Sequence, residues 1–127
     1  MDATKSIADL AARAEGLRLL VLYGSRARGD GRPDSDWDFA FLGTARFDEE
    51  GLRAELVLLL GTDRVDLVDL SRAGGLLRHR VAREGRVLHE AEPGVFEAFW
   101  IEAVSFWCDA APIVSEGYEA VLAELGR

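Results

Sequence analysis

At 127 residues, with 49% apolar and 30% charged side chains, the chain is long enough to bury one sizeable core and too apolar for disorder. Its formal net charge of −8 argues against a broad nucleic-acid surface, because such binding draws its affinity from Lys and Arg neutralising phosphates. The one cysteine, Cys108, excludes an internal disulfide, no Cys/His zinc spacing occurs, and the longest apolar run, Leu56 to Leu60, is far too short to span a bilayer.

Taken in chain order, Ile7, Leu10, Ala11 and Ala14 recur at helical spacing between Asp2 and Glu15, with Gly16 at the place of a left-handed cap. A charged N-terminal helix, with no basic-then-apolar leader, implies the cytoplasm as compartment. Leu17 to Tyr23 is rich in Leu and Val and reads as a central strand buried on both faces, ended by Gly24-Ser25. A second strand continues from Asp38 through Phe39, Ala40, Phe41 and Leu42. Asp48 then caps a helix whose Leu52, Leu56, Leu59 and Leu60 form one stripe up to Gly61. Arg64 to Leu70 is the third strand, and the helix between it and the second is long enough for a parallel crossover.

Ser71 is the expected cap of a further helix ending at Gly85, and Arg86 to His89 the expected short edge strand. Pro93 suits the first turn of a long amphipathic helix over about 93–125, with Phe96, Phe99, Trp100, Ala103, Val104, Trp107, Ala110 and Ala111 on one side and a kink at Pro112. That stripe covers the sheet. Phe106 lies off it, and such a second apolar edge marks a partner or self-association surface, a homodimer included. Residues 1–127 therefore read as a single α/β (α+β) domain.

The chemistry gathers around the second strand. Strand alternation turns Asp36 and Asp38 to one face with α-carbons roughly 6.5 to 7 Å apart, while Trp37, Phe39 and Phe41 pack behind them. Paired carboxylates disfavour each other's ionisation unless divalent cations lie between them, and oxygen ligands select Mg²⁺ or Mn²⁺ over zinc or copper. Asp66, on an adjacent strand, is the natural third ligand. Asp69 competes for that role but points to the opposite face and suits a surface or helix-approach position. Three carboxylates can hold two Mg²⁺ ions, one activating an attacking hydroxyl and one neutralising a leaving pyrophosphate. Gly24 lets the backbone approach a phosphate, the Ser25 hydroxyl and N–H donate to it, and Arg26 and Arg28 are candidates to grip its oxygens. No Walker A or dinucleotide-binding glycine pattern is present.

Gly24 and Ser25, ten intervening residues, then Asp36 and Asp38, with Asp66 later on a strand, resemble the signature of the DNA polymerase β-like nucleotidyltransferase superfamily. In the form GSRARG, SDWDFAF and RVDLVDL, the chain resembles its minimal nucleotidyltransferases, including MntA-type antitoxins. The resemblance extends in outline to the segment Arg83-Glu84-Gly85-Arg86-Val87-Leu88 and the helical tail. It implies a small mixed sheet flanked by helices, two Mg²⁺ ions, ATP as substrate, and transfer of AMP to a hydroxyl. It also implies a partner, the cognate HEPN-family toxin HepT, silenced by AMP on a tyrosine. An acidic chain without a basic groove fits a protein or small-molecule acceptor better than a nucleic acid. Transfer to an aminoglycoside-like molecule, and a non-catalytic module that binds nucleotide or blocks a partner sterically, are the rival readings.

His79 and His89 fit no catalytic or metal-ligand spacing in the sequence and read as structural or surface residues. Cys108 reads as a small core residue, and Asp30 and Asp34 as loop solvation.

Overall fold

The computed structural model describes residues 3–110, with side chains through 105. In chain order it contains α1 (Ala3–Ala12), β1 (Leu17–Tyr23), α2 (Ser25–Arg28), β2 (Trp37–Gly43), α3 (Glu49–Leu60), β3 (Val65–Asp69), α4 (Gly75–Glu84), β4 (Arg86–Glu90) and α5 (Val95–Ala110). The strands form one mixed sheet in the order β3-β2-β1-β4. β1 is antiparallel to both of its neighbours, whereas β2 and β3 run parallel across the α3 crossover.

Each face of the sheet carries its own apolar layer, which is why β1 reads as almost continuously apolar. Leu17, Leu20 and Leu22 join Phe39, Phe41, Val65 and Leu67 beneath α1 and α3. On the other face Leu19, Val21, Tyr23 and Ala40 pack against Val81 and Ala82 of α4 and Val95, Phe99 and Ala103 of α5. Strand alternation therefore assigns Asp38, two residues before Ala40, to the α4/α5 face and Phe39 to the α1/α3 face.

Two helix starts differ from expectation. α4 starts at Gly75, not after Ser71, because Ser71 is turned back on Asp69: its N–H and hydroxyl donate to Asp69 Oδ1 at 2.9 and 2.6 Å. α5 starts two residues beyond Pro93, since Gly94 adopts φ +97 and its carbonyl accepts the first helical bond, from Ala98 N. The free Phe96 N–H of that first turn donates to Glu90 Oε1 at 2.9 Å.

The helix stripes are also narrower than their spacing implies. Trp100 is 43% exposed rather than laid on the sheet, and the buried line of α5 is Val95, Phe99 and Ala103. Leu59 of α3 is 41% exposed, because that helix seats Leu52 and Leu56 deepest, with Val57 and Leu60 beside them. Pro112, Ala111 and the far end of the expected helix lie outside the described residues, as do the side chains of Phe106, Trp107, Cys108 and Ala110. His79 is buried on α4, and desolvation together with Arg83 lowers its pKa below the ordinary value.

Candidate active site

Three strands deliver one residue each to a single row across the α4/α5 face. Asp38 pairs in register with Asp66 on parallel β3 and with Tyr23 on antiparallel β1. Register partners share a face, so the Asp38 and Asp66 side chains leave adjacent strands, whose spacing is ~4.8 Å, on the same side of the sheet. Asp36 lies just before β2 on the same face as Asp38, is 55% exposed, and has Oδ1 4.0 Å from Arg64 Nη1. Among the described residues no cation lies within salt-bridge distance of Asp38 or Asp66.

The crowding has an electrostatic signature. Burial pushes the Asp38 carboxyl above its ordinary pKa, Asp66 and then Asp36 push it further, and Arg80 and Arg28 oppose the rise. Tyr23 is raised too, first by burial and then by Asp38, with Arg80 opposing. A group set whose charged form is disfavoured by like charges gains from any cation that enters it.

The turn after β1 is built against these acids. Gly24 has φ +80 and ψ −160, a conformation that a residue with a Cβ rarely adopts, and a Cβ there would meet Asp38 Oδ2 at 2.5 Å. Its carbonyl accepts the N–H groups of Ala27 and Arg28, both at 3.1 Å, so Ser25 opens the short α2 directly beside the carboxylates.

The two arginines part company. Arg26 donates through Nε and Nη2 to Ser35 O (3.1 and 2.9 Å) and through Nη2 to Pro33 O (3.1 Å), and its guanidinium lies 4.2 Å over the Trp37 ring. Trp37 belongs to the α1/α3 face, so Arg26 fastens the loop at 29–36 from behind the acids. Arg28 instead donates to Asp30 Oδ2 at 3.4 Å and to Glu84 Oε1 at 3.1 Å, near enough to the acids to act on Asp38. Asp69 is engaged with Ser71, as its opposite strand face implies.

Two residues went unassigned in the sequence. Glu84, at the end of α4, accepts from Gly24 N (3.2 Å) and Arg28 Nη1 (3.1 Å) at Oε1 and from Arg80 Nε (3.2 Å) at Oε2. Arg80 in turn lies 5.5 Å over the Tyr23 ring. The i,i+4 spacing of Arg80 and Glu84 on a helix is visible in the sequence, but their approach to a turn some sixty residues earlier is not.

The donor set is chemically suited to hard divalent cations: three carboxylates at one sheet edge, two of them in register, and a crowded Asp38 that a cation would relieve. Among the described residues no three acidic, His or Cys side chains close on a single point, and Asp36 has Arg64 as its ion-pair partner.

A family description, "Polymerase beta, Nucleotidyltransferase", matches residues 5–93. The chain is 39% identical over 95 residues, 61% of its length, to "Protein adenylyltransferase MntA" of Aphanizomenon flos-aquae (strain 2012/KM1/D3). The match spans 59% of that relative's own length. Among solved structures, a chain of a toxin-antitoxin complex with AMP-PNP superimposes with a TM-score of 0.71 at 26% identity, covering 100% of both chains. A chain of a mutant toxin-antitoxin MntA-HpeT complex does so with a TM-score of 0.72 at 25% identity, again over 100% of both.

Proposed function

This chain belongs to the polymerase beta nucleotidyltransferase family, and from that premise we propose that it transfers AMP from ATP to a hydroxyl of a protein partner. The partner of this reading is a HEPN-family toxin, with the chain acting as its antitoxin in the cytoplasm. The similarity to a protein adenylyltransferase and to a toxin-antitoxin structure with AMP-PNP supports both halves. The observation that carries the chemistry is the register pair Asp38–Asp66 with the Gly24 turn pressed against Asp38.

In the transfer, the acceptor hydroxyl oxygen bonds to the α-phosphorus of ATP, the bond from that phosphorus to the bridging oxygen of pyrophosphate breaks, and pyrophosphate departs. The hydroxyl proton passes to Asp66, the exposed acid of the pair, and from there to solvent. Two Mg²⁺ ions, or Mn²⁺ in their place, would be held by Asp36, Asp38 and Asp66 and would supply charge neutralisation and an acidified hydroxyl. Gly24 and Ser25 receive the triphosphate, and Arg28 is the arginine on the side of the acids. Arg26 contributes by holding the loop. Most of the acceleration on this scheme is positioning and fixed charge.

The test is co-expression with the HEPN-family partner, then intact mass of the partner after incubation with ATP and Mg²⁺. Added AMP that disappears with Asp66→Asn is the expected result. A partner that co-purifies and stays unmodified overturns it, and label on a small hydroxylated molecule in a parallel screen would select the aminoglycoside-like alternative.

A further inference from the structure

We infer that Glu84 is a positioning residue of the nucleotide site, the side chain whose Oε1 sets the Gly24 turn and ties Arg28 to it. The inference rests on the reading of that turn as a nucleotide site. Glu84 stands on the last turn of α4, and its side chain is only 19% exposed despite its charge. It is seated so closely because Gly85 follows it: a Cβ there would meet Val81 O at 2.4 Å and Val21 Cγ1 at 2.5 Å, so only a bare backbone lets the helix end press on β1.

From that seat one carboxylate accepts from three donors, two at the ends of α2 and one a turn earlier on α4. Oε1 takes the backbone N–H of Gly24 at 3.2 Å and Arg28 Nη1 at 3.1 Å, and Oε2 takes Arg80 Nε at 3.2 Å. The Gly24 N–H belongs to the Tyr23–Gly24 peptide, which joins the strand residue beside Asp38 to the turn. Fixing that peptide plane fixes how Gly24 lies against Asp38 and the direction in which α2 begins. A surface glutamate serving only solubility or helix pairing would satisfy Arg80 at i,i+4 and leave the backbone of a remote turn alone. Here the reach to Gly24 decides the matter: a charge-assisted bond to a backbone N–H, partly buried, across sixty residues of sequence.

The function assigned to Glu84 depends on length and on an acceptor oxygen more than on charge, and two conservative variants separate these. Glu84→Gln keeps the length and an acceptor oxygen for Gly24 N and Arg28 Nη1 and gives up only the Oε2 bond to Arg80, toward which it turns an NH2 group; Glu84→Asp keeps the charge and falls one methylene short. We measure ATP binding to the full chain in Mg²⁺ by isothermal titration, with thermal melting as the check that each variant is folded. The expected result is ATP affinity within about threefold of the parent for Glu84→Gln and a loss of about tenfold for Glu84→Asp. Equal affinity in both variants and the parent removes the role. A Gln variant as weak as the Asp variant makes charge the operative property, and tighter binding in either makes the carboxylate a competitor of phosphate; both results overturn the assignment. Absence of ATP binding in the parent chain would instead sink the nucleotidyltransferase reading itself, so the two failures are told apart in one titration series.

Discussion

Replacing Asp38 by Asn should make the metal-free protein more stable and its nucleotide-bound form less so. Two unit charges ~5 Å apart, one strand spacing, repel by about 0.8 kcal/mol in bulk water and about 3 kcal/mol at an effective dielectric of 20. Asp38 is neither buried nor fully exposed and Asp66 is exposed, so the repulsion removed by Asn is nearer the lower figure, about 1 kcal/mol. For a chain of this size that is a rise of about 3–5 °C in Tm.

The pH dependence has a definite sign. Folding raises the Asp38 pKa from 3.8, chiefly by burial and then by Asp66 and Asp36, so the folded state keeps its proton to higher pH than the unfolded chain does. Stability from this residue is therefore fully present below 3.8 and falls as pH rises through the raised folded value. Asp38→Asn removes that slope. With Mg²⁺ and ATP at about 100 times Kd the parent gains about 2.7 kcal/mol by mass action, a gain the Asn variant should lack. Thermal melts with and without Mg-ATP, repeated across pH, make the comparison. An Asn variant that melts below the metal-free parent, or that gains as much from Mg-ATP, would refute the reasoning that crowded carboxylates at this row are the cation and nucleotide site.

Gly24→Ala should cost about 1–3 kcal/mol in urea unfolding, since φ +80 strains a residue with a Cβ and the Asp38 carboxylate occupies the space it needs. Nucleotide binding should fall with it. Arg26→Ala, by releasing the Ser35 and Pro33 carbonyls and the Trp37 ring, should speed limited proteolysis between residues 29 and 36, measured by mass mapping of the fragments. Unaltered cleavage would mean the loop is held by something else. Asp48→Ala removes the side-chain acceptor of Gly51 N (3.0 Å) at the start of α3 and should lower stability by about 1 kcal/mol without touching ATP affinity.

Much of this protein is legible in one dimension because its signals are local. Leu17–Tyr23 is apolar on both faces because each face of β1 meets its own layer, and the Asp48 cap and the α3 crossover follow from side chains within a few residues of each other. The pattern Gly24, Ser25, Asp36, Asp38 led to the family, and alternation alone put Asp66 and Asp69 on opposite faces, because side-chain direction in a strand is a two-residue rule; the register with Asp38 then sets Asp66 on its face. What needed the tertiary structure was everything set by distance through space. Periodicity places Trp100 and Leu59 on an apolar stripe but cannot say where the packed partner ends, and both come out exposed. Arg26 and Arg28 are two residues apart and equivalent on paper, yet the turn of α2 sends one to Trp37 behind the sheet and the other to Glu84 beside the acids. Glu84 is the clearest case. Its charge and its helix were readable, but its role comes from a bond to Gly24 sixty positions away, and only the packing of α4 on β1 brings those two atoms within 3.2 Å.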